Sequence, residues 1–214
     1  MKQHSFCPLK LCLLCVAVVL FFYVSKASAE LKVVQIYKQD ELISWINKNQ
    51  HLARVVEDNC QLIQDIEARA KVVKNPAYQF LWGDMLAWGV CVDKNPTLGL
   101  YYIQESANQG LPAALEQLGR YYHQGTLVQI DIKRSLIYLR EAAAMGNLNA
   151  QLRLVEMYCD DLGSPRDYED AYHWLHNAVI ADKFQHKRAK NLLANLAERM
   201  PEKVLKRAMR PLEY

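Results

Sequence analysis

From residue 77 onward, apolar residues recur three and four positions apart, the spacing that gives a helix one buried stripe. In "PAYQFLWGDMLAWG" that stripe is Tyr78, Trp82 and Leu86, and further on it is Ala114, Leu118 and Tyr122. Sliding the chain along itself by 36 residues repeats the pattern without a gap. Gly83 falls on Gly119, Gly89 on Gly125 and Gly110 on Gly146; Ala107 falls on Ala143, Leu118 on Leu154 and Tyr122 on Tyr158. Tyr102 falls on Tyr138 and then Trp174, and Asp131 falls on Asp167. A fixed period of this length marks stacked helix pairs, none of which buries its apolar face alone. The pattern predicts an all-α protein, a short helix-pair solenoid.

Start and stop signals divide each unit into two helices. "PAALEQLGRYYHQG" is the first helix of the second unit, closed by Gly125; "DIKRSLIYLREAAAMG" starts at a capping Asp131 and stops at Gly146. In the first unit Asn95-Pro96 supplies the cap and first-turn proline of the second helix, and Gly110 ends it. The third unit runs from Asn149, turns at Gly163-Ser164-Pro165 and continues in "DYEDAYHWLHNAVIAD". Glycine weakens a helix interior by about 1 kcal/mol relative to alanine. Gly83 and Gly119 are therefore expected where a partner helix approaches closely, and Gly89 and Gly125 where the backbone turns left-handed. The third unit has Val155 and Asp161 at these two places, so looser packing or a different turn is expected there.

The repeats are placed at 77–186. Residues 30–76 contain "KVVQIY", read as a short strand, then "DELISWINKNQHLARV" and "DNCQLIQDIEARAKVVKN", read as helices that cap the open end of the stack. Residues 187–214 supply a closing helix within "HKRAKNLLANLAERM" and a tail. At the other extreme, Lys2 and Lys10 precede an apolar run of 14 residues, Leu11 to Val24, followed by Ala27-Ser28-Ala29. That is the layout of a cleaved signal peptide over residues 1–29; the run is short of the roughly 20 residues that span a bilayer, an uncleaved anchor being the rival.

Removing that segment changes the charge. The whole chain is formally +3, but the segment holds three lysines and no acid, leaving 23 basic and 23 acidic side chains. Nothing in that balance argues for nucleic acid. Residues 30–182 carry 14 basic and 20 acidic groups, and residues 183–214 carry nine and three. The tail residues Lys187, Arg188, Lys190, Lys203, Lys206, Arg207 and Arg210 are candidates for docking on an acidic partner, against a plain solvated face. Of six cysteines, Cys60, Cys91 and Cys159 remain. Export to an oxidising compartment predicts one disulfide and one thiol left over. Cys60 with Cys91 is the expected pair, since a cap would bring them together; Cys91 with Cys159 is the rival.

Reaction chemistry is not legible in the chain. His173 and His176, with Asp170, lie on neighbouring faces of one helix, but zinc wants three or four ligands and no others are nominated. Asp160 and Asp161 read as turn residues. G-x-S-x-G, a phosphate-cradling glycine loop and H-E-x-x-H are missing from the sequence. No catalytic residue, metal or cofactor is expected, and the chain is not read as an enzyme.

Ala114, Leu118, Gly119, Tyr122 and Gly125, followed by Ala142, Ala143 and Gly146, resemble the Sel1-like repeat, a relative of the tetratricopeptide repeat. "NCQLIQDIEARA", "PAYQFLWGDMLAWGVCV", "YLREAAA" and "GSPRDYEDAYHWLHNAVIADKFQHKRA" further resemble the MotX family of sodium-driven flagellar motor proteins. That resemblance implies a periplasmic component of the T ring around the flagellar basal body. It implies as partners a MotY-like ring protein and the periplasmic region of a PomB-like stator subunit. The alternatives are a periplasmic Sel1-like adaptor in envelope assembly or signalling, and a peptidoglycan-active or β-lactam-binding enzyme. For the binding surface, a second stripe beside the core one holds Leu81, Met85 and Trp88, with Tyr121 and Met157 at equivalent positions farther along. Large apolar and aromatic side chains there are expected to line a groove on the inner curve, the rival being that the N-terminal cap covers Leu81 and Trp88.

Overall fold

Among residues 36–211, which the computed structural model describes, every regular element is a helix. Three short helices come first: α1 (Gln39–Asn47), α2 (His51–Glu57) and α3 (Ile63–Ala68), the last running into a π-helical turn, Arg69–Val73. The helix pairs follow as α4 (Pro76–Trp88) with α5 (Pro96–Asn108), α6 (Pro112–Gln124) with α7 (Ile132–Ala144), and α8 (Leu148–Cys159) with α9 (Tyr168–His176). Then come α10 (Lys183–Ala197) and α11 (Glu202–Ala208), a helix the sequence pattern does not single out. The expected signal peptide, and residues 32–35 of the expected strand, lie outside the described residues; Ile36 and Tyr37 have no regular structure.

Local chemistry explains most boundaries. The side chain of Asn95 accepts from the Leu98 amide at 3.1 Å, and that of Asp131 from the Arg134 amide at 3.0 Å. Asn75, Asn147 and Asp182 cap α4, α8 and α10 in the same way. The two helices read in residues 40–75 are broken. Asn49 at φ +56° separates α1 from α2, and Asn59 and Cys60, at φ +52° and +59°, separate α2 from α3. Asparagine tolerates the left-handed region that ends a helix, a local effect that apolar spacing does not report.

Glycines set the closeness of the first two pairs. A Cβ on Gly83 would lie 2.8 Å from the Gly99 carbonyl oxygen, and one on Gly99 would lie 2.6 Å from the Gly83 oxygen and the Ala87 nitrogen. The α4 and α5 backbones meet at this crossing. The positions 36 residues on from Gly99 are Ser135 and Ala171, also small, and Ser135 donates to the Gly119 carbonyl at 2.7 Å. Gly99→Ala should therefore behave against helix propensity. Alanine would gain about 1 kcal/mol in an open helix, yet its methyl here meets main-chain atoms that no rotamer change can move, and overpacking costs about 1–3 kcal/mol or more. A net loss of about 1–2 kcal/mol is expected in equilibrium urea unfolding.

The third pair ends its first helix in the same way, with Asp161 at the place of Gly89 and Gly125. Asp161 takes φ +60°, and the Leu162 amide reaches the Met157 carbonyl at 2.9 Å, as Val90 reaches Met85 at 2.9 Å and Thr126 reaches Tyr121 at 3.1 Å. Its second helix does differ: α9 has nine residues where α5 and α7 have 13, and it stops at His176 instead of continuing to Asp182. Asn177 ends it, donating from its side-chain amide to the carbonyls of His173 (2.9 Å) and Arg210 (3.1 Å).

Candidate functional site

The inner-curve stripe is where the structure corrects the sequence reading. Leu81, Met85, Tyr121 and Met157 are all 0 % exposed, so they are core and line no open groove. Trp88 alone stays partly open, 43 % exposed, with its ring 6.4 Å from that of Tyr121. Each first helix is packed on two sides, by its own second helix and by the preceding unit or the cap, so two stripes are buried rather than one. In α4 every residue from Ala77 to Ala87 is buried. Tyr121 and Tyr122 exchange the roles expected of them: Tyr122 is half-buried, its ring 5.8 Å from that of Tyr138, while burial pushes the Tyr121 phenol up to about 12.

What covers α4 is the N-terminal cap, and polar chemistry fixes it there. His51 of α2 and Asp84 of α4, each 2 % exposed, meet at 2.8 Å between Nε2 and Oδ2. Gln117 of α6 donates to the other Asp84 oxygen, Oδ1, and to the Tyr121 hydroxyl at 3.0 Å. One carboxylate thus ties the cap, the first unit and the second. A buried pair of this kind is expensive to break, because removing one partner strands the other. Nearby, Tyr37 donates to Asp58 at 3.0 Å and Tyr78 donates to the Tyr37 carbonyl at 2.6 Å. Cys60 and Cys91 are joined by a disulfide, their Cα atoms 5.7 Å apart, which staples the α2–α3 turn to the α4–α5 loop.

The remaining inner surface is a groove between α1 and the starts of α6 and α8. It consists of two adjoining cavities of about 410 and 290 Å³ that share Ile46, Asn47, Ala113, Asn147 and Asn149. The larger is mainly apolar, with Ile43, Leu111, Met145 and Leu148; the smaller is polar, with His51, Gln117, Glu116 and three arginines. Arg153 lies 3.4 Å and Arg120 3.9 Å from Glu116, and Arg188 lies 2.8 Å from Glu156. None of Glu116, Arg120, Arg153 or Asn149 stands out by residue type. A signal did exist: one repeat position holds Asp84, Arg120 and Glu156, 36 residues apart, a run of charges where a core position would be apolar.

The other candidates are scattered by the fold. Asp170 pairs with Arg140 at 3.1 Å, His173 Nδ1 meets the Ala208 carbonyl at 3.1 Å, and the His176 ring lies 5.6 Å from Tyr172. Among the described residues, no group of three or more histidine, cysteine, aspartate or glutamate side chains could hold a metal ion. In the basic tail, Arg207 pairs with Glu169 at 2.6 Å and Lys206 with Glu202 at 2.5 Å, so part of its charge is matched within the chain. The Cys159 thiol is half-buried against the Leu192 carbonyl at 3.7 Å, and burial raises its pKa. Trp174 is half-buried. No described helix is long and apolar enough to cross a membrane.

The Sel1 repeat matches residues 76–111, 112–147 and 148–180, each starting with the first residue of α4, α6 or α8. The sodium-type polar flagellar protein MotX of Vibrio parahaemolyticus serotype O3:K6 is 59 % identical over 177 residues, 83 % of this chain and 84 % of that protein. The chain belongs to the MotX family. An uncharacterised protein of Neisseria meningitidis serogroup B, NMB1327, is 33 % identical over 105 residues, 49 % of this chain but 21 % of its own length. Among solved structures, a Sel1 repeat protein from Oxalobacter formigenes has a TM-score of 0.54 at 25 % identity, covering 60 % of this chain and 97 % of its own. The c5321 antigen of uropathogenic Escherichia coli has a TM-score of 0.51 at 22 % identity, over 80 % of this chain and 32 % of its own, and shares the fold alone. In this MotX-family chain the disulfide and the His51–Asp84 pair join the segment before the matched repeats to the first of them.

Proposed function

We propose that this chain is a periplasmic interaction scaffold of a sodium-driven polar flagellar motor, exported through the 1–29 signal peptide. It is a T-ring component that anchors or assembles the stator around the basal body. Its partners in this reading are a MotY-like ring protein and the periplasmic region of a PomB-like stator subunit. The observation that carries the proposal is the 59 % identity with the flagellar protein MotX along 83 % of the chain. The architecture supports it, because helix-pair solenoids present long surfaces for other proteins. Deleting the gene tests it. Cells should keep their flagellar filaments and lose swimming, a plasmid copy should restore it, and the chain should capture the two partners from detergent-solubilised envelopes. Undiminished swimming in the deletion strain would remove the proposal.

A further inference from the structure

The polar end of the groove has more cation than it uses. Arg120 and Arg153 share Glu116, and Arg188 takes Glu156, so three guanidiniums face two carboxylates. All three arginines line the cavity, with side chains 30 %, 21 % and 36 % exposed, and existing contacts hold them in place before anything binds. His51 lines the same cavity, and its Nδ1 is buried with no hydrogen-bond partner among the described residues. Asn47 and Asn149, at the join of the two cavities, can each donate and accept, as a peptide group requires. Beyond them the apolar end is walled by Ile43, Met145 and Leu148.

We propose that this groove takes an extended segment of a partner protein, with a carboxylate side chain against Arg120, Arg153 and Arg188 and an apolar side chain in the cavity beyond Asn149. Charge complementarity selects an acidic residue, since a lysine or arginine there would add a fourth cation. The cap is part of the site: α1 forms one wall, and the buried His51–Asp84 pair and the disulfide hold the cap to the first unit. The inference deepens the motor reading, on which it rests only for the name of the partner.

A randomised peptide library displayed on phage, selected on the immobilised chain, tests it without assuming any partner. Enriched peptides should share an aspartate or glutamate a few residues from an apolar side chain. Synthesised with the acid replaced by its amide, they should bind about tenfold more weakly or worse, the scale of one lost charge-assisted hydrogen bond. Arg153→Glu should cost a similar factor. Asn149→Trp, which changes no charge and grows from an exposed position at the join, should block binding while leaving the unfolding midpoint in place. If Arg153→Glu fails to fold, Asn149→Trp decides. No enrichment, indifference to the amide, or full binding to a folded Asn149→Trp variant would overturn the proposal. A non-swimming deletion strain beside a chain that selects no such peptide removes this inference and leaves the motor reading standing. A swimming strain beside successful selection does the reverse.

Discussion

Replacing Tyr121 and Met157 together with serine is expected to unfold the protein. Both side chains are fully buried, in successive units of the stack. Truncating a buried aromatic costs about 3–5 kcal/mol and a buried methionine about 2–5 kcal/mol. Each serine also brings a hydroxyl into a site shaped for a larger group. Total stabilities of domains are about 5–15 kcal/mol, so the two losses together consume most or all of it. Circular dichroism with urea should show no cooperative transition for the double variant, and a midpoint well below that of the parent for each single one. The alternative, in which these residues serve only a partner, predicts an unchanged midpoint and lost capture; that pair of results would refute the burial argument.

Removing the staple is the second large effect. With Cys60 and Cys91 both changed to serine, stability should fall by about 3–4 kcal/mol, the chain-entropy value for a loop closed across 31 residues. The loss should not be uniform. The cap is three short helices, and its grip on α4 rests on the disulfide, the His51–Asp84 pair and a few buried side chains such as Leu42, Ile46, Val55 and Ile66. Short, sparsely packed units open first. Hydrogen exchange should therefore show α1 and α2 losing protection while α6 to α8 keep theirs, and Leu81 and Met85 should become accessible to solvent. Adding reductant to the parent protein should reproduce both results. Uniform loss of protection along the chain would show that cap and repeats are a single cooperative unit.

The two predictions divide along the line between local and long-range information. The helix pairs, their capping residues, the left-handed glycines and the 36-residue period were legible in the chain because each depends on a few neighbouring residues and on repetition. The period even exposed the crossing at Gly83, although Gly99 on the facing helix passed unnoticed: its meaning lies in which backbone it meets. Which stripes of each helix are buried was decided only by stacking. Tyr121 and Met157 look like surface residues when one helix is considered with a single partner, and become core when units pack on both sides. The cap shows the same limit more sharply. His51 and Asp84 are 33 residues apart, and nothing about either residue announces the other. Their pairing needs α2 laid over α4, and that in turn places α1 opposite α6 and α8 and so makes the groove. Sequence by itself determined a short stack of helix pairs; the tertiary structure decided which faces the stack consumed and which it left for a partner, because burial is a property of the assembled units and not of any one helix.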